Sequence, residues 1–234
     1  MLEVDSLDAF YGDSHILQGL GFAVAAGARV AVLGRNGAGK TTLIKSLMNA
    51  GPRVAGAIRF DGQPLEKTPA FRRSRLGLSL VPEDRRIFPH LTVEENIAAA
   101  MKAVGAPGGQ DAIERCFARF PMLGPLRKRF GNQLSGGQQQ MLAVARGLAA
   151  APKLLLLDEP TEGLAPIIVD QMARALNAFL DDDGAALLLS EQNLRFARKC
   201  ARHVYVLDSG RFVFQGDWRA FDANPEIKSR YLAV

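Results

Sequence analysis

The stretch GRNGAGKT at residues 34–41 matches the pattern G-x-x-x-x-G-K-[ST] without a mismatch. The apolar run before it, RVAVL at residues 29–33, predicts a short buried strand, and residues 41–48 predict the start of a helix. A strand, a glycine-rich loop and a helix in this order form the context that the pattern requires. We therefore predict a loop that binds the phosphates of a nucleotide.

The composition of this loop indicates how it would hold a nucleoside triphosphate. Its glycines allow backbone angles that side chains forbid, so successive N–H groups can converge on phosphate oxygens at a helix N-terminus. We expect Lys40 to reach the β- and γ-phosphates, Thr41 to offer its hydroxyl to Mg²⁺, and Thr42 to lie near the α-phosphate. The predicted ATP-binding residues of the loop are Gly34, Arg35, Asn36, Gly37, Ala38, Gly39, Lys40, Thr41 and Thr42.

Two carboxylates follow a second apolar run. Residues 154–157 read LLLL, which is typical of a central parallel strand buried on both faces, and Asp158 and Glu159 come directly after it. Ligands of open α/β sheets bind at the carboxyl ends of such strands. We predict that Asp158 binds Mg²⁺ together with Thr41, and that Glu159 is the general base that activates the attacking water.

A third motif, LSGGQ at residues 134–138, lies between the first two. On physical grounds alone, Ser-Gly-Gly before a helical run that continues to about Ala150 is no more than a flexible helix N-cap. Its position between the phosphate loop and the two carboxylates makes it specific. With the three motifs in this order, the chain resembles the ATPase subunits of ATP-binding cassette (ABC) transporters over nearly its whole length.

The resemblance implies an α/β fold of the P-loop NTPase class. A RecA-like core with a parallel sheet would carry an N-terminal antiparallel β subdomain and an inserted α-helical subdomain. We expect a single ABC ATPase domain over residues 1–234. Residues 1–86 and 151–234 would form the β subdomain and the core, and residues from about 87 to 150 the helical subdomain with the LSGGQ motif.

The expected helical subdomain has its own start and stop signals. Thr92 is a predicted N-cap, because Glu94 and Glu95 would lie in the first turn of the helix that follows. The glycine-rich sequence at residues 105–109 predicts the end of that helix, and a second helix is expected over about residues 110–120.

The resemblance also implies a shared site. Family members work in pairs, head to tail, so that the LSGGQ motif of one subunit caps the ATP on the phosphate loop of the other. Ser135 would donate to the γ-phosphate of the partner's ATP, assisted by the backbone amides of Gly136 and Gly137 and by the helix dipole. Leu134 and Gln138 complete this signature.

Three further positions carry expectations by resemblance. Tyr11 matches the aromatic residue that stacks on adenine. Glu83 stands where most members have Gln, and it can still offer an oxygen to Mg²⁺. Gln192 stands where most have His, so it can hydrogen-bond the γ-phosphate but hydrolysis should show no histidine titration near neutral pH. The predicted catalytic residues are Glu159, Gln192 and Lys40, and the predicted Mg²⁺ ligands are Thr41, Glu83 and Asp158.

Some stretches are similar to one subgroup of the family. Residues 81–96, 158–169, 190–193 and 224–234 resemble the smaller ATPase subunit of high-affinity branched-chain amino acid importers. Urea and amide importers have closely related subunits, so the solute stays open. The resemblance implies a second ATPase subunit, either related or identical, two transmembrane permease subunits, and a periplasmic or extracellular solute-binding protein. It also implies a peripheral position at the cytoplasmic face of the cell (inner) membrane.

Two other classes of protein remain as alternatives. Soluble ABC ATPases of DNA repair separate the phosphate loop from LSGGQ by long coiled coils, and residues 41–133 show no heptad repeat. Soluble ABC ATPases of translation usually carry two cassettes in one chain. The second alternative is a P-loop kinase or GTPase. Such a protein has no need for the LSGGQ motif or for a Glu directly after Asp158.

Composition supports an ordinary globular chain. Of its 234 residues, 48% are hydrophobic and 23% are charged, and the net charge is +5. The basic pieces at residues 72–75, 84–86 and 127–129 are short and lack interleaved aromatic residues, so we expect solvated faces and no nucleic-acid binding. Cys116 and Cys200 fit no metal or redox spacing, and we expect reduced core thiols.

Overall fold

The computed structural model describes residues 1–106 and 109–232. A six-stranded sheet has the order β10-β9-β3-β8-β7-β6, and a four-stranded sheet has the order β2-β1-β4-β5. The strands are β1 (Leu2–Tyr11), β2 (Ser14–Val24), β3 (Arg29–Leu33), β4 (Arg53–Phe60), β5 (Gln63–Pro64), β6 (Leu78–Val81), β7 (Leu154–Asp158), β8 (Ala186–Glu191), β9 (His203–Asp208) and β10 (Arg211–Asp217).

Helices cover the larger sheet and form most of the segment between β6 and β7. Two short 3₁₀ turns, Pro121–Leu126 and Gly131–Gln133, precede the LSGGQ helix. The helices of the described residues are α1 (Lys40–Leu47), α2 (Ala70–Leu76), α3 (Val93–Val104), α4 (Gln110–Arg119), α5 (Gly136–Ala149), α6 (Pro166–Asp183), α7 (Leu194–Cys200), α8 (Trp218–Asp222) and α9 (Pro225–Tyr231).

The larger sheet is buried on both faces, as a doubly covered parallel sheet requires. Strands β9, β3, β8, β7 and β6 run parallel, and only the edge strand β10 pairs antiparallel with its neighbour. Alternate residues of β7 enter two separate apolar cores, Leu155 and Leu157 on one side and Leu154 and Leu156 on the other. The predicted strand over residues 154–157 is confirmed, and so is the RecA-like core.

The N-terminal antiparallel sheet packs on one face of this core. Apolar residues of β1, β2 and β4 form a single core with α1 and with the same face of β3, β7 and β8. The opposite face of the larger sheet packs against α5, α6 and α7, together with α3 and α4 of the inserted segment. The predicted antiparallel β unit and the helical insertion are therefore both present.

The start of the helical insertion follows the sequence signals. The hydroxyl of Thr92 accepts from the backbone N–H of Glu95 at 3.2 Å, and the Glu95 carboxylate accepts from the Thr92 N–H at 2.8 Å. This reciprocal pair is a capping box at the start of α3. The helix ends at Gly105, whose φ of 68° suits glycine. Two residues of the predicted break, 107 and 108, lie outside the described residues.

Both cysteines are buried free thiols, as the sequence indicated. Burial raises the pKa of Cys116 and of Cys200 to about 12. The thiol form therefore persists at neutral pH, and both side chains pack in the core beside the inserted helices and α7.

The expectation that the basic pieces are solvated is wrong for Arg73, which is 2% exposed. Its guanidinium donates to the carbonyls of Ser46, Leu47, Leu65 and Thr68 at 3.2, 2.7, 2.5 and 2.9 Å. The first two carbonyls lie at the C-terminus of α1, where a cation also meets the negative end of the helix dipole. Burial lowers the pKa of Arg73, but a guanidinium stays protonated at any pH relevant to proteins.

We expect Arg73→Met to lower the free energy of unfolding by about 2–4 kcal/mol, because buried backbone carbonyls lose their donor. The adjacent Arg72 is exposed, so Arg72→Met makes the same chemical change on the surface and should cost less than about 0.5 kcal/mol. Urea denaturation of both variants measures the difference. Equal midpoints for the two variants would contradict a structural role of Arg73.

Candidate functional site

Three parallel strands end at one edge of the larger sheet. Leu33 at the end of β3 pairs with Glu191 of β8, and Asp158 at the end of β7 pairs with Ser190 of β8. Because the strands are parallel and in register, their carboxyl ends bring together the phosphate loop, the carboxylate pair and the turn after β8. The three sequence motifs that follow these strands therefore share one location.

The phosphate loop requires glycine at defined points. A Cβ on Gly34 would lie 2.4 Å from the carbonyl oxygen of Leu207, which leaves no room for a side chain. Gly37 and Gly39 have φ values of 81° and 107°, in the left-handed region. Gly39 directly precedes α1, so the loop presents its N–H groups together with the helix N-terminus. This is the geometry that binds phosphate.

Lys40 lies under the loop and is only 3% exposed. Its ammonium group donates to the carbonyls of Gly34 at 2.7 Å and Arg35 at 2.9 Å. It also forms an ion pair with the Glu159 carboxylate at 3.1 Å. The positive charge is therefore held at the junction of the phosphate loop and the carboxylate pair.

Asp158 is 1% exposed and sits between two hydroxyl groups. Its carboxylate accepts from Thr41 Oγ1 at 3.1 Å and from Ser190 Oγ at 2.6 Å. Burial raises the pKa of this carboxyl, and the two hydroxyl hydrogen bonds oppose that shift. The structure therefore brings the two predicted metal ligands Thr41 and Asp158 into direct contact.

Glu159 is held in a defined position. Its φ of 45° is unusual for a residue with a side chain, and its N–H donates to the Ser190 carbonyl at 3.1 Å and hydroxyl at 3.2 Å. Its carboxylate accepts from the Gln192 side-chain amide at 3.0 Å. The same amide donates to Asn36 of the phosphate loop. Gln192 thus bridges the candidate base and the loop.

Glu83 is exposed but interacts with this cluster. Partial desolvation, followed by the negative charges of Glu162, Glu159 and Asp158, raises the pKa of the Glu83 carboxyl. Together with Asp158 and Thr41 it offers oxygen ligands of the kind that Mg²⁺ prefers. In the part of the chain that the structure describes, no group of three or more His, Cys, Asp or Glu side chains could hold a metal ion by itself. Phosphate oxygens of a nucleotide and water are the other ligands that Mg²⁺ takes at such sites.

Tyr11 lies at the end of β1 and is 43% exposed. It lines a cleft of about 290 Å³ together with Ile16, the phosphate loop and Glu159. An aromatic side chain and a phosphate-binding loop on one cleft are the two kinds of group that an adenine nucleotide would contact. The structure thus places Tyr11 on the same cleft as the phosphate loop, and its stacking on adenine stays a prediction.

The signature residues lie away from this cleft. Leu134 is buried and anchors the segment, whereas Ser135 and Gly136 are exposed at the start of α5. The N–H of Ser135 donates to Gln138 Oε1 at 2.9 Å, and its hydroxyl accepts from the Gln138 N–H at 3.4 Å. Neither these residues nor Gly137 lines the cleft in the described chain. In the described residues, the signature is thus not part of the cleft that the phosphate loop lines.

The turn after Glu83 contacts the signature helix, and it is not a simple solvated face. The Arg85 guanidinium donates to the side chains of Gln140 at 3.0 Å and Gln139 at 3.3 Å, both on α5. Arg146 of α5 donates to the Arg86 carbonyl at 2.6 Å. The expectation of full solvation for residues 84–86 is therefore wrong for Arg85, which is half-buried.

Sequence reasoning missed Ser190 and Glu191 as residues of the site. Ser190 contacts both Asp158 and Glu159, and Glu191 contacts Thr161 beyond them. The available signal was their position, since they are the last two residues of a buried strand directly before Gln192. Polar residues in such a strand need partners.

No helix among the described residues has the length and apolar character needed to cross a membrane. The ABC transporter family model matches residues 17–162. Over nearly the whole chain, 38% of residues are identical to the high-affinity branched-chain amino acid transport ATP-binding protein BraG of Pseudomonas aeruginosa, with 99% of each chain covered.

Two other relatives differ in what their names say. A probable branched-chain amino acid transport ATP-binding protein, LivF of Archaeoglobus fulgidus, is 35% identical over 92% of each chain. The lipopolysaccharide export system ATP-binding protein LptB of Escherichia coli is 30% identical over 99% of this chain and 96% of its own. The names of proteins with similar sequences thus differ in the compound that is transported.

Solved structures share the fold. A structure of an ATP-binding subunit of an ABC transporter aligns with a TM-score of 0.83 and 28% identity, covering 99% of this chain and 96% of its own. A dimeric ATP-binding cassette with ADP and Pi bound aligns with a TM-score of 0.82 and 22% identity over 93% and 98% of the two chains. The family match covers more than half of the sequence and the curated relatives cover nearly all of it, so the chain belongs to the ABC transporter family as one of its ATP-binding ATPase subunits.

Proposed function

We propose that this chain is the ATP-hydrolysing subunit of an ABC importer that takes up branched-chain amino acids. One observation carries the ATPase role: the Glu159 carboxylate lies 3.1 Å from the Lys40 ammonium and 3.0 Å from the Gln192 amide, beside the cleft that Tyr11 lines. The solute is inferred from BraG and LivF, which are named for branched-chain amino acid transport. Urea or an amide is the alternative solute.

Different residues of the cleft would bind the adenine, bind the phosphates and activate the attacking water. Tyr11 would stack on adenine, and the N–H groups of residues 34–42 would surround the phosphates. Lys40 is already positioned by two loop carbonyls, so its ammonium group can turn to the β- and γ-phosphates without leaving the loop. Glu159 would accept a proton from the attacking water.

Gln192 would orient this reaction rather than exchange protons. Its amide already bridges Glu159 and Asn36, so it can fix the water-activating carboxylate relative to the phosphate loop. Mg²⁺, held through Thr41, Asp158 and Glu83, would neutralise developing negative charge on the phosphates. Because Gln192 is uncharged at every pH, the site gains no ionisable group at this position.

A second ATPase subunit would complete the site. Ser135, Gly136 and Gly137 lie at the N-terminus of α5 and do not line the chain's own cleft. We propose that they face the γ-phosphate on the partner, while the loop at residues 162–165 contacts the partner subunit. ATP would then join two subunits, and hydrolysis would release them.

The membrane subunits would dock beside the loop that follows β6 and carries Glu83. A cleft of about 240 Å³ lies between β6, α3 and α5, and Arg85, Arg86 and Arg146 line it. A short helix of a permease subunit would enter this cleft. We place the protein at the cytoplasmic face of the cell (inner) membrane. The permease subunits would link it to a solute-binding protein, and we propose no nucleic-acid partner.

Residues 1–234 would act as one ABC ATPase domain, with residues from about 87 to 150 as its helical subdomain.

We expect Glu159→Gln to lower the rate of ATP hydrolysis about 100-fold or more while ATP still binds, because the amide keeps the shape but accepts no proton. An ATP-dependent dimer should accumulate, measured by size-exclusion chromatography with light scattering. Asp84→Asn, which removes a neighbouring exposed charge that pairs with Arg86, serves as the control. Turnover at the wild-type rate, or loss of ATP binding, would refute the role of Glu159.

The rate of hydrolysis should be constant from about pH 7 to pH 8.5 and fall toward acid. In the metal-free site, desolvation and the charges of Glu162, Glu159 and Asp158 raise the pKa of the Glu83 carboxyl, so protons compete with Mg²⁺ for this ligand as the pH falls. Gln192→His should add a titration near pH 6.5, the ordinary pKa of an imidazole. A wild-type profile that already titrates near pH 6.5, or an unchanged profile in the variant, would count against the assignment.

The transport role is tested by isolating the tagged chain from its native membrane. We expect a second ATPase subunit and two permease subunits to co-purify, and ATP hydrolysis to rise with branched-chain amino acids and their binding protein. Stimulation by urea or amides instead would change the solute. Recovery without any membrane chain would overturn transport and favour a soluble ABC ATPase.

A further inference from the structure

Strand β8 ends in a carboxylate that does not line the nucleotide cleft. Glu191 is 2% exposed. Its Oε1 accepts from the Thr161 hydroxyl at 2.5 Å and the Thr161 N–H at 3.2 Å, and its Oε2 accepts from the N–H groups of Gln192 at 2.8 Å and Asn193 at 2.7 Å. Burial raises the pKa of this carboxyl, and the same donors oppose the shift. The donors thus stabilise a buried charge.

The donors on the two oxygens belong to different parts of the site. Thr161 lies two residues after Glu159, in the loop that continues into residues 162–165, for which a partner contact is proposed above. Gln192 carries the amide that reaches both Glu159 and Asn36. One side chain therefore joins the loop after the candidate base to the turn that carries the candidate orienting amide.

We propose that Glu191 is a positioning residue for hydrolysis, which holds the loop after Glu159 and the Gln192 turn as one unit. Movement of that loop against a second subunit would then move Gln192 relative to Glu159. The inference rests on the proposed function, because it concerns the same reaction. Glu191 acts through Gln192, and it is not among the residues that line the cleft.

The contact pattern requires a carboxylate of this length. A Gln side chain offers one acceptor oxygen, so its NH₂ group would face either the donors of Thr161 or those of Gln192 and Asn193. An Asp side chain is one methylene shorter and would not reach both groups at once. A conservative change at Glu191 therefore loosens one half of the bridge while it removes little volume.

The first experiment compares kcat with ATP affinity in the full-length chain. Glu191→Gln should lower kcat about ten-fold or more, because a small misplacement of a positioned group is costly. The Kd for ATP should change less than about two-fold, because Glu191 lies outside the cleft. Glu3→Gln, an exposed site on β1, is the matched control for loss of one carboxylate. Equal loss of ATP affinity and kcat would overturn the proposal.

The second experiment is a double-mutant cycle in single-turnover conditions. Glu191→Gln should have less than a two-fold further effect in a Gln192→Ala background, because it acts through Gln192. The same fold-loss in both backgrounds would overturn the proposal. If Glu191→Gln does not fold, Thr161→Val takes its place in the cycle, since it removes only the hydroxyl donor and keeps the shape. Thr161→Ser, which keeps the hydroxyl, should lose less activity than Thr161→Val.

The two proposals fail in different ways. A wild-type chain that binds ATP but does not hydrolyse it, alone or with its membrane subunits, would refute the proposed function. An active wild-type chain with additive effects at Glu191 and Gln192 would refute only the positioning role.

Discussion

The register between β7 and β8 is the constraint on which the site depends. It places Asp158 opposite Ser190, so the Ser190 hydroxyl reaches the Asp158 carboxylate and the Ser190 carbonyl receives the N–H of Glu159. Side chains of a strand alternate between faces, so a slip of one residue would move Ser190 away and present Leu189 instead. Both cores bury leucines from these strands, which is why such a slip is strongly opposed.

Several carboxylates at the same edge of the sheet repel one another. Asp158, Glu159 and Glu162 all act to raise the pKa of Glu83, and Glu159 acts on Asp158 in the same sense. The ion pair from Lys40 offsets part of this charge. A bound divalent cation would offset more of it, so the carboxylates that repel one another in the free site favour binding of that cation.

Short sequence patterns predicted the local structure, such as helix caps and strands. They did not predict which distant residues would bury Arg73 and Glu191. The cap at Thr92 and the strand at residues 154–157 depend on neighbours within a few positions, so their outcome followed from the sequence. Arg73 and Glu191 are buried because of partners 27 and 30 residues away, at Ser46 and Thr161. A charged residue in a short basic run carries no local sign of such a partner. The place of Glu191 at the end of a buried strand indicates that it needs a partner, but not that the partner is Thr161. The composition of the basic run therefore led to the wrong expectation that Arg73 is solvated. The motifs likewise did not identify Glu191 as a residue of the site.

The hydrogen bonding of Ser135 bears on how a second subunit would be received. The hydroxyl oxygen accepts from its own helix, at the N–H of Gln138, and this leaves the hydroxyl hydrogen available to point outward. The side chain is thus fixed in one rotamer by the fold itself. A phosphate arriving from another molecule would meet a donor that is already ordered, and the rotamer entropy of this serine is lost during folding rather than during association.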